Sequence, residues 1–224
     1  GMRVPFLREE LPFPERSDED TALALMAGLV FGDGTWAADT PMWYFHESEA
    51  AHLDDVRGLV PEWVSVRAHS EPGMSVVTWS KETGRRLTAR FGHKGDRVPS
   101  ETMRDASKAE VVAFLRGWFA TDGSVHIRDG RASVMLYNKS FDCLRDAQIL
   151  LQRLGIRSSV YRGKGTTMLR GTDVPRVAQL IIKGDAERFR NVVGFSMAKK
   201  QSILAEARPR KKANWPEPWG EVVE

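Results

Sequence analysis

The chain repeats itself, and each copy of the repeat ends in an acid. Ser17–Gly34 and Ser107–Gly123 follow one plan, and internal self-similarity on this scale implies two copies of one structural unit. Each copy opens with a helix start: Ser107 with Glu110 is a capping box, and Ser17 with Asp20 is a weaker version. Each then runs apolar for about three turns, so each helix is expected to be buried on most sides. Each closes on Asp-Gly, at Asp33-Gly34 and Asp122-Gly123, and glycine suits the exit from a helix.

The helical phase agrees as well. Ala24, Gly28 and Gly32 precede Asp33 in steps of four, and Ala113, Gly117 and Thr121 precede Asp122 in the same steps. Residues four apart share a helix face, so each helix carries a stripe of small side chains that lets another backbone come close. Facing stripes, with Ala24 and Gly28 against Ala113 and Gly117, would bring the two acids together at one end of a helix pair. A carboxylate there meets the negative end of the helix dipole, and two neighbouring carboxylates repel. A divalent cation relieves both penalties, and all-oxygen ligands favour Mg²⁺. The carbonyls of Gly32 and Thr121 could complete such a site.

Charge is unevenly placed. Residues 1–105 hold 12 Lys+Arg against 18 Asp+Glu, and residues 106–224 hold 21 against 12. A basic second half suggests a polyanionic partner, most plausibly nucleic acid. Cys143 is the sole cysteine, which excludes an internal disulfide and clustered-cysteine zinc sites and fits a reducing compartment. No apolar run is long enough for a membrane span and no signal-peptide pattern opens the chain, so an intracellular location is expected. Gly1 ahead of Met2 reads as a residue left by tag removal. Gly163-Lys164-Gly165 lacks the phosphate-loop pattern, which disfavours a dinucleotide-binding enzyme.

Ala27–Gly34 and Leu115–Gly123 resemble the paired motifs of the monomeric LAGLIDADG homing endonucleases. The earlier Asp of the motif is replaced by Phe31 and Ala120, while the final acid stands in both copies. The resemblance covers roughly residues 20–205 and includes Ser140–Arg157, which reads like the family's helix and entry into its third strand. It implies an α+β fold of two pseudo-symmetric αββαββα halves, with saddle-shaped antiparallel sheets and the motif helices at the central interface. Arg97-Val-Pro99 resembles an element that holds a basic catalytic residue. Lys199 stands five residues after Gly194 as Arg97 stands five after Gly92, with Lys200 the rival for the second role.

The strand and helix patterns fit that plan. In the first half, Thr35–Ala38 and Met42–His46 read as a hairpin, Ser48–Leu59 as a helix, Trp63–His69 with Ser75–Trp79 as a second hairpin, and Lys81–Phe91 as a helix. In the second, Ser124–Arg128 and Ala132–Asn138 read as a hairpin, Ser140–Leu154 as a helix, Ser158–Arg162 and Val177–Ile182 as strands, and Ala186–Val193 as a helix. The expected layout is an arm (1–16), a first half (17–92), a linker (93–106), a second half (107–207) and a basic, then Pro- and Trp-rich tail (208–224).

A two-stranded ribbon fits the major groove, and only alternate side chains reach it. The expected DNA contacts are Trp36, His46, Arg67 and His69 in the first half. In the second they are Arg128, Arg131, Asn138, Tyr161, Arg162, Lys164 and Arg170. Trp43, Trp79 and Tyr137 are as compatible with the core. The resemblance implies Mg²⁺-dependent cleavage of double-stranded DNA by a monomer at a long pseudo-palindromic site, leaving short 3′ overhangs. The alternatives are a binding protein of maturase or transcription-factor type and an excised intein endonuclease domain. No Cys or Ser opens the chain and no His-Asn pair closes it, so self-splicing is not expected.

Overall fold

The computed structural model describes residues 10–94, 99–163, 165–169 and 172–208. The first half runs α1 (Thr21–Asp33), β1 (Gly34–Ala37), β2 (Thr40–His46), α2 (Ala51–Val56), β3 (Ser65–Ala68), β4 (Met74–Thr78) and α3 (Lys81–Phe91). A short α4 (Pro99–Thr102) leads into the second half. This runs α5 (Lys108–Asp122), β5 (Gly123–Arg128), β6 (Arg131–Asn138), α6 (Phe141–Arg153), β7 (Ser159–Tyr161), β8 (Thr166–Leu169), β9 (Thr172–Pro175), β10 (Ala178–Ile182), α7 (Ala186–Val192) and α8 (Ala198–Ala205).

The two main sheets share one topology. Their strand orders are β1-β2-β4-β3 and β5-β6-β10-β7, antiparallel at every pairing. The αββαββα repeat and the α+β class expected from the sequence are therefore present. Three features depart from expectation. The first-half middle helix is shorter than Ser48–Leu59: a 3-10 turn at Glu47–Glu49 precedes a six-residue α2. The stretch between halves contains α4 rather than linker alone. The second half adds the β8–β9 hairpin and α8, neither of which carries a strong apolar period.

The central helices bury themselves as their composition dictates. Leu23 through Val30 of α1 are all buried, as are Val111, Phe114, Leu115, Trp118 and Phe119 of α5. Their starting ends are tied together by charge. Ser107 and Glu110 form the capping box on α5, and Asp20 caps α1 at the Leu23 amide. The fully buried Glu110 carboxylate accepts from Arg90 at 2.8 and 3.0 Å and from the Asp20 amide at 3.2 Å. A buried acid without such partners would be strongly destabilising.

The motif glycines act by making room. Gly34 and Gly123 leave their helices in extended conformation, with φ −119° and −91°, so a left-handed exit is not what selects them. A Cβ on Gly34 would lie 2.5 Å from the Val30 Cα and 2.6 Å from the Met42 carbonyl oxygen, and one on Gly123 would lie 2.2 Å from the Phe119 carbonyl oxygen. The first strand of each half folds back too tightly on its own helix to admit a side chain.

Candidate active site and nucleic-acid-facing surface

The two motif acids finish α1 and α5 at the same end of the pair, Asp33 open to solvent and Asp122 half-buried. Crowding by protein pushes Asp33 up to about 6, and the charges of Asp122 and Glu49 push the same way, while Lys94 and Lys200 oppose them. Asp122 is also raised by burial; a hydrogen bond from Trp118 Nε1 to its Oδ2 at 3.1 Å, together with Lys94 and Lys200, pulls it back. Two acids that feel each other, at two helix C-termini, form an electrostatically loaded site.

Two lysines meet that load. Lys94 Nζ donates to the Gly32 carbonyl and, at 3.3 Å, to the Gly34 carbonyl. Lys200 Nζ donates to the Ala120 and Thr121 carbonyls at 2.6 and 3.1 Å. Each ammonium thus sits on the final carbonyls of one motif helix, where the dipole is negative. Burial lowers both lysine pKa values, and both charges act on both acids.

These lysines revise the expected basic pair. Arg97 lies outside the described residues. Lys199 is exposed on α8, one step from Lys200, and the side chain directed at α5 is that of Lys200. Of the two candidates named for the second role, Lys200 is the one that reaches a motif helix. Lys94 follows Gly92 by two residues in a loop, whereas Lys200 follows Gly194 by six because it stands on the first turn of a helix. The readable signal was a need for a cation at each helix C-terminus.

The second lysine is held by the first half of the chain. Asp55 Oδ2 accepts from the Ala198 amide at 2.8 Å and so caps α8, and buried His52 Nε2 lies 3.0 Å from Ser196 Oγ.

The site's own donors fit a loosely held cation. Two carboxylates are far short of a full oxygen shell, and among the described residues no group of three or more His, Cys, Asp or Glu stands ready to hold a metal. The Gly32 and Thr121 carbonyls already accept from lysines, though each oxygen has a second lone pair. Such a donor set leaves most positions to water and to a ligand's oxygens, which suits Mg²⁺.

Strand register sorts the expected DNA contacts by face. Tyr44 pairs with Val76, which pairs with Arg67, so Tyr44 and Arg67 share the face opposite Trp43 and Val77 of the core. His46 lies on that outer face too, and His69 packs edge-on to Tyr44 with ring centroids 5.2 Å apart. Tyr44 is an outer-face residue absent from the expected set; counting back two residues from His46 finds it. Trp36 is a correction: it pairs with Pro41 on the core side, and its ring stacks on His93 at 5.0 Å. Trp43 and Trp79 are core residues.

In the second half, Arg128 and Arg131 are exposed across the β5–β6 tip, and Tyr161 is exposed opposite Gln179. Arg162 is exposed and lies over the Phe141 ring at 3.9 Å. Asn138 Oδ1 accepts from the Ser140 amide at 2.9 Å, forming the turn into α6. Lys164 and Arg170 lie outside the described residues. At the helix interface Ala24 and Ala113 are buried, and Gly28 and Gly117 abut the opposite helix.

Comparison with known proteins agrees with this geometry. Residues 109–194 match the LAGLIDADG-like domain family. Over 193 residues the chain is 25% identical to a DNA polymerase of Thermococcus litoralis. It is 28% identical over 210 residues to a probable translation initiation factor IF-2 of Thermococcus kodakarensis, and 30% identical over 162 residues to elongation factor 2 of Methanopyrus kandleri. These matches cover 81%, 91% and 70% of the chain but only 11%, 17% and 12% of those proteins. Among solved structures, mesophilic variants of the homing endonuclease I-DmoI superimpose with a TM-score of 0.53 at 17% identity, covering 77% of this chain and 94% of theirs. I-DmoI in complex with DNA and Ca superimposes at 0.52 and 16%, covering 77% and 88%. At these identities the likeness establishes the fold.

Proposed function

We propose, for a chain that carries a LAGLIDADG-like domain within a two-part LAGLIDADG fold, that it is a site-specific endonuclease of double-stranded DNA. The observation that carries this reading is the convergence of two acids and two lysines at one end of the α1–α5 pair. Asp33 and Asp122 would hold divalent cations, Mg²⁺ foremost. Bound there, the ion supplies an activated water and neutralises charge on the leaving oxygen. Lys94 and Lys200 each polarise one phosphate from a fixed seat on a helix end, so little reorganisation is needed as charge develops. A single chain presents both sheets, so a monomer can read a long pseudo-palindromic site and leave short 3′ overhangs.

The setting is inferred from the relatives. A DNA polymerase, an initiation factor and an elongation factor do unrelated work, yet each contains a stretch like this one amounting to a small part of its length. A segment shared by such proteins behaves as an inserted, mobile element, and a homing endonuclease borne by an intein fits that distribution. The retained pair of acids argues against a purely DNA-binding relative of transcription-factor type; a maturase can keep them, and assisted splicing of a host intron separates that reading from cleavage.

The test is Mg²⁺-dependent cleavage of a randomised duplex library. Wild type is expected to enrich and cut one site, while Asp33→Asn and Asp122→Asn bind it and leave it intact. Cleavage by either variant at the wild-type rate would refute the metal-holding role.

A further inference from the structure

The outer end of the second sheet opens into a notch. β10 stops at Ile182 opposite Val134, whereas β6 starts at Arg131, so Arg131, Ala132 and Ser133 have no strand on that side. The space left is about 350 Å³ and is walled by α7 and α8. Five cations line it: Arg128, Arg131, Lys183, Arg190 and Arg208. Only Asp129 and Glu187 oppose them, at 3.9 Å from Arg128 and Arg190. Among the described residues Arg131, Lys183 and Arg208 make no ion pair. The Arg208 amide donates to the Gly130 carbonyl at 2.9 Å and so fixes that side of the rim.

The corresponding place in the first half is filled. There α3 packs directly on the β1–β2 turn, so closely that a Cβ on Gly84 would lie 1.8 Å from the Asp39 carbonyl oxygen. Asp39 itself is acidic and pairs with Arg85 at 3.3 Å. One unit is closed at this point with its acid paired to an arginine, and its copy is open and cationic.

Position selects the ligand. β5 leaves Asp122 and reaches the hairpin tip six residues later, roughly 20 Å at about 3.3 Å per residue. A duplex centred on the acids, with a rise of about 3.4 Å per base pair, passes the tip roughly six base pairs from the cut. We propose that the notch is a phosphate seat for the DNA backbone where the duplex leaves the second half, a grip that the first half lacks. This rests on the DNA-cleaving reading above. Free polyphosphate presents the same oxygen chemistry, so the experiment carries an arm for it.

The test compares wild type, a K183A/R190A/R208A variant and a K81A/R104A/R145A control of equal charge loss. Binding to a 40-base-pair duplex is measured against salt, and folding is checked by thermal melting. Each phosphate contact contributes about 0.9 to the slope of log affinity against log salt. The notch variant should therefore lose about two to three from the slope, and the control less than about one. A notch variant with the wild-type or the control slope overturns the seat. So does a notch that captures tripolyphosphate while duplex binding is untouched, which would assign it to a free ligand. Wild type that fails to bind duplex at all overturns both this proposal and the nuclease reading, and is thus distinct from an unchanged slope.

Discussion

Gly28 and Gly117 lie against each other's helix backbones where α1 crosses α5. A Cβ on Gly28 would stand 2.1 Å from the Phe114 carbonyl oxygen, and one on Gly117 would stand 2.4 Å from the Leu25 carbonyl oxygen. Neither obstacle is a side chain that can swing aside. Gly28→Ala gains about 1 kcal/mol of helix propensity but forces the helices apart, and overpacking of a tight core costs about 1–3 kcal/mol. The clash is with backbone, so the penalty should win. A lower urea midpoint is expected, with cleavage falling further than DNA binding because the acids ride on the displaced helices. An alanine variant as stable and as active as wild type would show that the close crossing is dispensable.

Asp33 is a site where function and stability oppose one another. Its folded pKa is raised from 3.8 to about 6, chiefly by the protein crowded around its solvent-facing carboxylate, with the charges of Asp122 and Glu49 adding. The unfolded chain therefore ionises first, and stability is lost as pH rises from 3.8 through 6. Asp33→Asn removes that cost. In EDTA the variant should exceed wild type in urea midpoint at pH 7.5, by no more than about 1 kcal/mol once solvent screening is counted, and should match it near pH 4. Added Mg²⁺ should stabilise wild type more than the variant. A variant less stable than wild type at pH 7.5 would contradict the sign.

The fold was legible because its two units repeat and because apolar periodicity marks buried faces; α1, α5, α6 and both hairpins of the first half lie close to where the pattern places them. The acids were legible since an acid ending a buried helix needs a reason. The lysines were not, because contact with a helix end is made across 62 and 80 residues of sequence, and spacing from a glycine does not say whether the chain then loops or coils. Trp36 was misread because a shift of one residue in strand phase decides which face a tryptophan takes, and the turn at Ala38, with φ 52°, sets that phase. The β8–β9 hairpin shows no apolar alternation, since it lies outside both main sheets.

Lys94 and Lys200 each serve one helix end, so their loss should be felt strand by strand. Lys94→Met and Lys200→Met are each expected to slow cleavage of one strand more than the other by about 10²-fold or more, the usual effect of deleting a charge-stabilising donor. Nicked circles should accumulate from a supercoiled substrate carrying the site. The double variant should cut neither strand. Equal slowing of both strands by a single substitution would mean that the lysines act on a shared step.

His52 ties stability to pH across the two halves. It is buried, touches Ser196, and has a pKa lowered from 6.5 to about 4, chiefly by burial, with Lys200 adding to the shift and Asp55 opposing it. A depressed histidine binds its proton more readily when unfolded, so stability present above pH 6.5 is lost as pH falls toward 4. The loss should approach about 3 kcal/mol, at about 1.4 kcal/mol per unit. His52→Gln keeps a polar group near Ser196 and should flatten urea midpoints over that window. Unchanged steepness would assign the acid sensitivity to other groups.

Trp118 makes the two acids unequal. It stands one turn before Asp122 and donates to it, whereas the matching position before Asp33 is Leu29, which has nothing to donate. That bond pulls the Asp122 pKa down against the effect of burial, so more of the carboxylate is ionised at a given pH. Trp118→Phe keeps a ring beside Phe31, now 4.8 Å from Trp118 between centroids, and deletes the donor. The Asp122 pKa then rises further, and a protonated acid cannot hold a cation. The acid limb of the cleavage profile should move to higher pH. If the limb stays in place while the variant folds normally, the indole bond has no bearing on the acid, and the asymmetry of the two sites must lie elsewhere.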